Sequence, residues 1–252
     1  MHKVRLIPIL LLKDQRMVKG KQFSNFRDTG DPAFAARIYN AQFVDELIFL
    51  DITATNEGRK TNVEVIEKVS KECFMPLTIG GGVSSLAQIR NLLQVGADKV
   101  VINTAAFLDK KLIAESTDIF GSQCIIIGID VKLEDSTYVI YSNSGTLKQD
   151  VSLEEHIREM EKLGAGEIFI NSIDNDGMMK GYDHDLISLV MSYTNLPVIA
   201  CGGAGNFMHL VNAFNETEVG ALAMASIYHF GDNNPVRARS YLKNHEINIK
   251  AV

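Results

Sequence analysis

The chain has 252 residues, 46% of them hydrophobic, and a formal charge of −6 at neutral pH. That supplies a core for one large α/β domain or two small ones, and the acidic balance argues against nucleic acid or a membrane surface as partner. No stretch is long and apolar enough to span a bilayer, and Met1-His2-Lys3 leads into a strand-like segment rather than a leader peptide.

In chain order, short apolar runs fall at Arg5–Leu11, Glu46–Asp51, Pro76–Ile79, Lys99–Asn103, Cys124–Asp130, Glu167–Asn171, Pro197–Cys201 and Gly220–Met224. Their continuous apolar character suits parallel strands covered on both faces. Amphipathic segments lie between them. Asp31-Pro32 offers an N-cap acid followed by proline, and Asn62–Glu72 and Leu153–Leu163 repeat at helical spacing. Eight β-then-α units predict a (β/α)8 TIM barrel, a single domain over residues 1–252. Cys73, Cys124 and Cys201 are dispersed without metal-ligand spacing and read as free thiols in a reducing cytoplasm; no metal or cofactor is expected.

The second half of the chain repeats the first, with half-repeats of about 1–120 and 121–252. Residues Asp45 to Ala106 reappear as Gly166 to Ile227, pairing Pro76 with Pro197, Gly81-Gly82 with Gly202-Gly203, and Asn103-Thr104 with Ala225-Ser226. A doubly wound sheet is the rival architecture, but such sheets rarely carry two half-repeats of four βα units. Aligning Arg5–Lys13 with Cys124–Lys132 exposes one mismatch: the second half ends its apolar run in Asp130, the first in Leu11.

Barrel sites gather at the C-terminal ends of the strands, which makes Asp51, Thr78, Asn103, Asp130, Asn171 and Ser172 candidates, with loop residues Asp174 and Asp176. Taken singly, each is explained equally well by turn and cap chemistry; their clustering on one rim favours a site. Glycine runs after strands three and seven, each followed one strand later by a small hydroxyl residue, let backbone N–H groups approach an anion. Gly81, Gly82, Asn103 and Thr104 would form one phosphate cradle, and Gly202, Gly203, Ala225 and Ser226 the other. An elongated ligand with a phosphate at each end is expected.

The strings KDQRMVKG from Lys13, FRDTGDP from Phe26, FLDIT, TIGGGV, INTAA, FGSQ, SIDNDG, GYD and CGGAG resemble the cyclase subunit of imidazole glycerol phosphate synthase over the whole chain. The resemblance implies a bis-phosphorylated ribulosyl ligand, held in part by Lys19, Asp176 and Gly177. It implies ammonia from a glutaminase docked on the N-terminal face, with Asp98 facing that partner, and passage beyond a gate of Arg5, Glu46, Lys99 and Glu167. It also implies two catalytic aspartates. Asp130 stands at one position and Leu11 at the other; Asn171 and Met178 replace the family's usual threonines. The expectation is therefore a specialised copy that delivers ammonia to an ATP-dependent sugar amidotransferase for amidination of a surface-polysaccharide sugar. A genuine histidine-pathway cyclase and a non-catalytic phosphosugar-binding barrel are the alternatives.

Overall fold

Eight strands close on themselves in the computed structural model, which describes residues 3–229 and 231–250. Strands one to eight are Arg5–Lys13, Leu47–Asp51, Leu77–Gly80, Lys99–Ile102, Ile125–Glu134, Glu167–Ser172, Val198–Cys201 and Ala221–Met224. Each pairs in parallel with the next, and strand eight returns to strand one through Arg5↔Ala221 to Pro8↔Met224. The expected (β/α)8 barrel is the observed fold.

Side chains alternate across each strand, so one set faces the helices and the other fills the barrel. Leu6, Leu10, Leu12, Leu47, Phe49, Leu77 and Ile79 join the outer core beneath the helices. Ile7, Ile9, Ile48, Val101, Ile126, Phe169, Ile199, Ala221 and Ala223 form a separate inner core, with Leu11, Leu50, Cys201 and Ala225 packed at its edge. Leu11 and Asp130 therefore both belong to inward-facing rows.

The helices begin where their caps dictate. Asp31 accepts from Phe34 N before helix Pro32–Ala41, Asn62 from Val65 N before Val63–Ser70, and Ser152 forms a reciprocal capping box with Glu155 before Leu153–Lys162. Such caps each contribute about 1 kcal/mol. Among the described residues, no helix is long and apolar enough to cross a membrane.

Two hairpins go beyond the sequence reading. Strand one runs past the rim to Lys13 and folds back through Arg16–Lys21 and Ser24–Gly30; strand five runs to Glu134 and folds back through Thr137–Ser142 and Leu147–Lys148. Both first turns have two central residues with positive φ, Asp14 and Gln15 at 50° and 61°, Asp135 and Ser136 at 45° and 65°. That conformation matches the right-handed twist of the flanking strands. The hairpins stand over the barrel mouth.

Candidate functional site

The strand ends and hairpins enclose a cavity of about 360 Å³. Asp51, Asp130 and Asp176 line it, and Asp130 ends the inward-facing row of strand five. Asp130 accepts hydrogen bonds from Asn103 Nδ2 at 2.9 Å and Asn171 Nδ2 at 3.4 Å. Burial pushes its carboxyl up to about 7; the Asn171 and Asn103 hydrogen bonds offset part of that rise, and the charge of Asp176 adds to it. A carboxyl so placed can hold or release a proton near neutrality. Leu11, Leu50, Ile9 and Val101 line the same cavity and give it an apolar side.

Both glycine turns lie on the cavity in the same backbone conformation. Gly81 and Gly202 each have φ of 99°, and Gly82 and Gly203 have φ of 71° and 107°. A Cβ at Gly81 would run into the Asp51 carbonyl, and one at Gly203 into the Gly181 carbonyl. Only glycine fits these turns. Beside them, Thr104 Oγ1 accepts from Asn143 N at 3.0 Å, while the buried Ser226 Oγ has no hydrogen-bond partner. Ala225 lines the cavity next to Ser226.

The first hairpin is latched across the mouth. Lys19, on Arg16–Lys21, reaches Asp176 Oδ1 at 2.5 Å, and both side chains are buried. Gln22 adds two bonds, N to the Asp176 carbonyl at 2.8 Å and Nε2 to the Asp174 carbonyl at 3.0 Å. Gly177 lies so close to the Gly20 carbonyl that a Cβ there would overlap it. Asp174 Oδ2 accepts from Leu133 N at 2.8 Å and so anchors the second hairpin. That hairpin ties the rim together through Ser144 Oγ, which donates to the Ile52 carbonyl at 2.9 Å.

One expectation needs correction, and a second residue is already engaged by a partner. Strand three runs to Gly80, so Thr78 sits two residues below the rim, paired with Ile48 and Lys99, fully buried and off the cavity lining. Asp51 borders the cavity, but both its oxygens are engaged by Arg59, with Nη1 at 2.6 Å and Nη2 at 2.9 Å, and Asn62 N donates to it as well. Its carboxylate braces the loop after strand two. Arg59 escaped the sequence reading, as did the cavity residues Phe23, Phe26 and Ser144; the hairpins that carry the last three had gone unforeseen.

At the opposite end of the barrel, Arg5, Glu46, Lys99 and Glu167 form a closed ring. Arg5 Nη1 donates to Glu46 Oε1 at 2.5 Å and Arg5 Nη2 to Glu167 Oε1; Lys99 Nζ reaches Glu46 Oε2 and Glu167 Oε2, each at 3.2 Å. Asp98, beside the ring, is exposed and accepts from Leu77 N at 2.8 Å. Among the described residues, no group of three or more His, Cys, Asp or Glu is placed to hold a metal ion.

The model of the family described as "Histidine biosynthesis protein" matches residues 5–234. The chain belongs to the histidine biosynthesis protein family. Within it, the chain is 45% identical over 248 residues to the imidazole glycerol phosphate synthase subunit HisF of Bacillus subtilis (strain 168), covering 98% of each. It is 45% identical to the HisF subunit of Hydrogenobaculum sp. (strain Y04AAS1) over 247 residues, again 98% of each. A third relative, HisF of Dehalococcoides mccartyi (strain CBDB1), is 45% identical over 246 residues, 98% of this chain and 97% of its own. The family match spans the floor ring, both glycine turns, the latched hairpin and the Asp130 cluster. This family barrel thus holds a charged floor, an apolar interior and a polar mouth in one stack.

Proposed function

We propose that the chain is the barrel subunit of a glutamine-dependent ammonia-transfer assembly. It receives ammonia from a glutaminase under the floor ring and passes it to an ATP-dependent amidotransferase that amidinates a surface-polysaccharide sugar. The observation that carries this reading is the unequal mouth above an intact floor: Asp130 lines the cavity at the end of strand five, and Leu11 lines it where the family likeness expects a second catalytic acid. Closing a ring with a base on one side and an acid on the other needs both groups, and losing one such group commonly costs about two to four powers of ten in rate. Delivery of ammonia needs no second acid. Between floor and mouth the interior is apolar, which disfavours ammonium far more than neutral ammonia. Three free thiols suit a reducing cytoplasm.

A second reading, a genuine cyclase of the imidazole glycerol phosphate synthase that the relatives are named for, draws support from the two glycine turns and the Lys19–Asp176 latch, which suit a ligand phosphorylated at both ends. Complementation separates the two. The chain should fail to rescue a strain lacking the histidine-pathway cyclase, and Leu11→Asp should restore growth. Rescue by the unaltered chain would overturn the delivery reading. With purified protein, ammonium salt and the ribulosyl intermediate, turnover should be at least about a hundredfold below that of Leu11→Asp.

A further inference from the structure

The two glycine turns share a backbone shape but are fastened by different devices. Thr61 is buried, and its Oγ1 donates to the Gly81 carbonyl at 2.5 Å. In the second half the Gly203 carbonyl is the one held, by Gly181 N at 2.9 Å. One turn therefore hangs on a side-chain hydroxyl and the other on a backbone N–H. Thr61 is itself steadied from both sides by Asp51. Arg59, two residues before it, gives Asp51 two guanidinium bonds, and Asn62 N, one residue after, donates to Asp51 Oδ2 at 3.2 Å. The same loop packs on the next glycine, because a Cβ at Gly82 would meet Ala54 Cβ and the Arg59 carbonyl. Gly81 and Gly82 line the cavity, whereas Arg59 and Thr61 stand outside its lining. Thr61 thus reaches the turn from the wall behind it.

We propose that Thr61 is the positioning residue of the first phosphate cradle. The Gly81–Gly82 peptide is trans, so its C=O and N–H point in opposite directions. Holding the Gly81 carbonyl against the wall turns the Gly82 N–H away from that wall, to the side on which an anion in the cavity would lie. Glycine on both sides of this peptide permits more than one orientation of its plane, and the Thr61 hydroxyl selects one. That hydroxyl spends its single proton on the carbonyl, so it acts through the backbone donor and not on the anion itself. A donor already turned toward its ligand binds more tightly than one that must be ordered on arrival. The inference rests on the reading of both glycine turns as phosphate cradles. It adds an inequality between them: the first depends on one hydroxyl, and the second does not.

The test is a titration of the full-length chain with inorganic phosphate at constant ionic strength. It follows the backbone amide resonances of Gly82 and Ala204, the N–H that comes after the fastened carbonyl in each turn. In the parent chain both should shift saturably. Thr61→Val removes the hydroxyl with little change of shape. It should weaken the Gly82 response by about five- to tenfold, the value of one neutral hydrogen bond, and leave Ala204 within about twofold of the parent. Thr61→Ser keeps the hydroxyl and should return the Gly82 response to within about twofold of the parent. Thr61→Ala repeats the comparison should valine disturb folding at this buried position. A merely structural role would weaken both cradles together and leave serine no better than alanine. Either result would overturn the proposal, as would a Gly82 response that Thr61→Val leaves unchanged. If the parent itself shows no saturable response at Gly82, the cradle reading of that turn fails first and takes the proposal with it.

Discussion

Replacing Lys19 by methionine should open the mouth rather than unfold the barrel. Lys19 and Asp176 meet at 2.5 Å with side chains 3% and 11% exposed. Methionine keeps most of the apolar contact of the lysine stem, so the substitution removes mainly the charge. Leaving one member of a buried pair uncompensated costs about 3–5 kcal/mol. Among the described residues, the remaining hydrogen bonds from the hairpin tip to the Asp174–Gly177 loop are the two from Gln22. Neutral bonds of this kind contribute about 0.5–1.5 kcal/mol each, so about 1–3 kcal/mol together. The strain exceeds the restraint, and the tip beyond Val18 should swing out so that water can reach Asp176. Hydrogen exchange over Lys19–Ser24 should rise about a hundredfold or more, and trypsin should cut sooner after the exposed Lys21. The urea midpoint of the barrel should move little. A barrel destabilised by about 3–5 kcal/mol with the tip still protected would refute the reasoning.

Three further outcomes follow from the same structure. Asp130 has its carboxyl raised to about 7, so the folded chain binds that proton more tightly than the unfolded one and stability falls as pH rises from about 4 to about 7. Asp130→Asn should therefore stabilise the protein at pH 8 by up to about 4 kcal/mol and hardly at all at pH 4, as urea unfolding would measure; a gain independent of pH would count against it. His156, buried and stacked on Phe107 at 4.2 Å between ring centroids, is pushed down to about 4 by burial. Its contribution is fully present above pH 6.5 and is lost as pH falls toward 4, up to about 3 kcal/mol, and His156→Phe should flatten that limb of the pH–stability curve. Gly203→Ala forces a side chain into the Gly181 carbonyl at φ 107° and should cost about 1–3 kcal/mol together with weaker binding of inorganic phosphate. Gly220→Ala, with open space around its Cβ, is the control and should stay within about 0.5 kcal/mol of the parent.

The barrel was legible because its strands are apolar on both faces and its half-repeat fixes their number. The inward position of Leu11 followed from the same alternation. Strand lengths were less legible. Asp14-Gln15 and Asp135-Ser136 make their turns without the glycine or asparagine that usually signals two left-handed residues, so both hairpins went unseen. Thr78 was placed one strand-turn too high because nothing in LTIGGG marks where pairing stops, and Gly80 still pairs with Val101. Asp51 looked like a ligand-binding acid because its partner, Arg59, lies eight residues away in a loop whose path is set by tertiary packing. The asparagines were visible as strand-end residues. The direction in which their amides turn depends on Asp130 sitting between them, and that is a property of three strands at once.

The floor ring has one more consequence. Its two positive and two negative groups alternate, so seen from the mouth they form an electrical quadrupole with no net charge, and its field fades quickly with distance. Consistently, the influences on the Asp130 proton are its burial, the two asparagines and Asp176, none of them on the floor. Removing one floor cation turns the quadrupole into a net monopole beneath an apolar column. Four residues along strand six, roughly 13 Å, separate Glu167 from Asn171 beside Asp130. Across that span one uncancelled negative charge is worth about 1 kcal/mol, enough to raise the Asp130 carboxyl by roughly one pKa unit. A variant lacking one floor cation would therefore retune the acid at the mouth without moving a single strand.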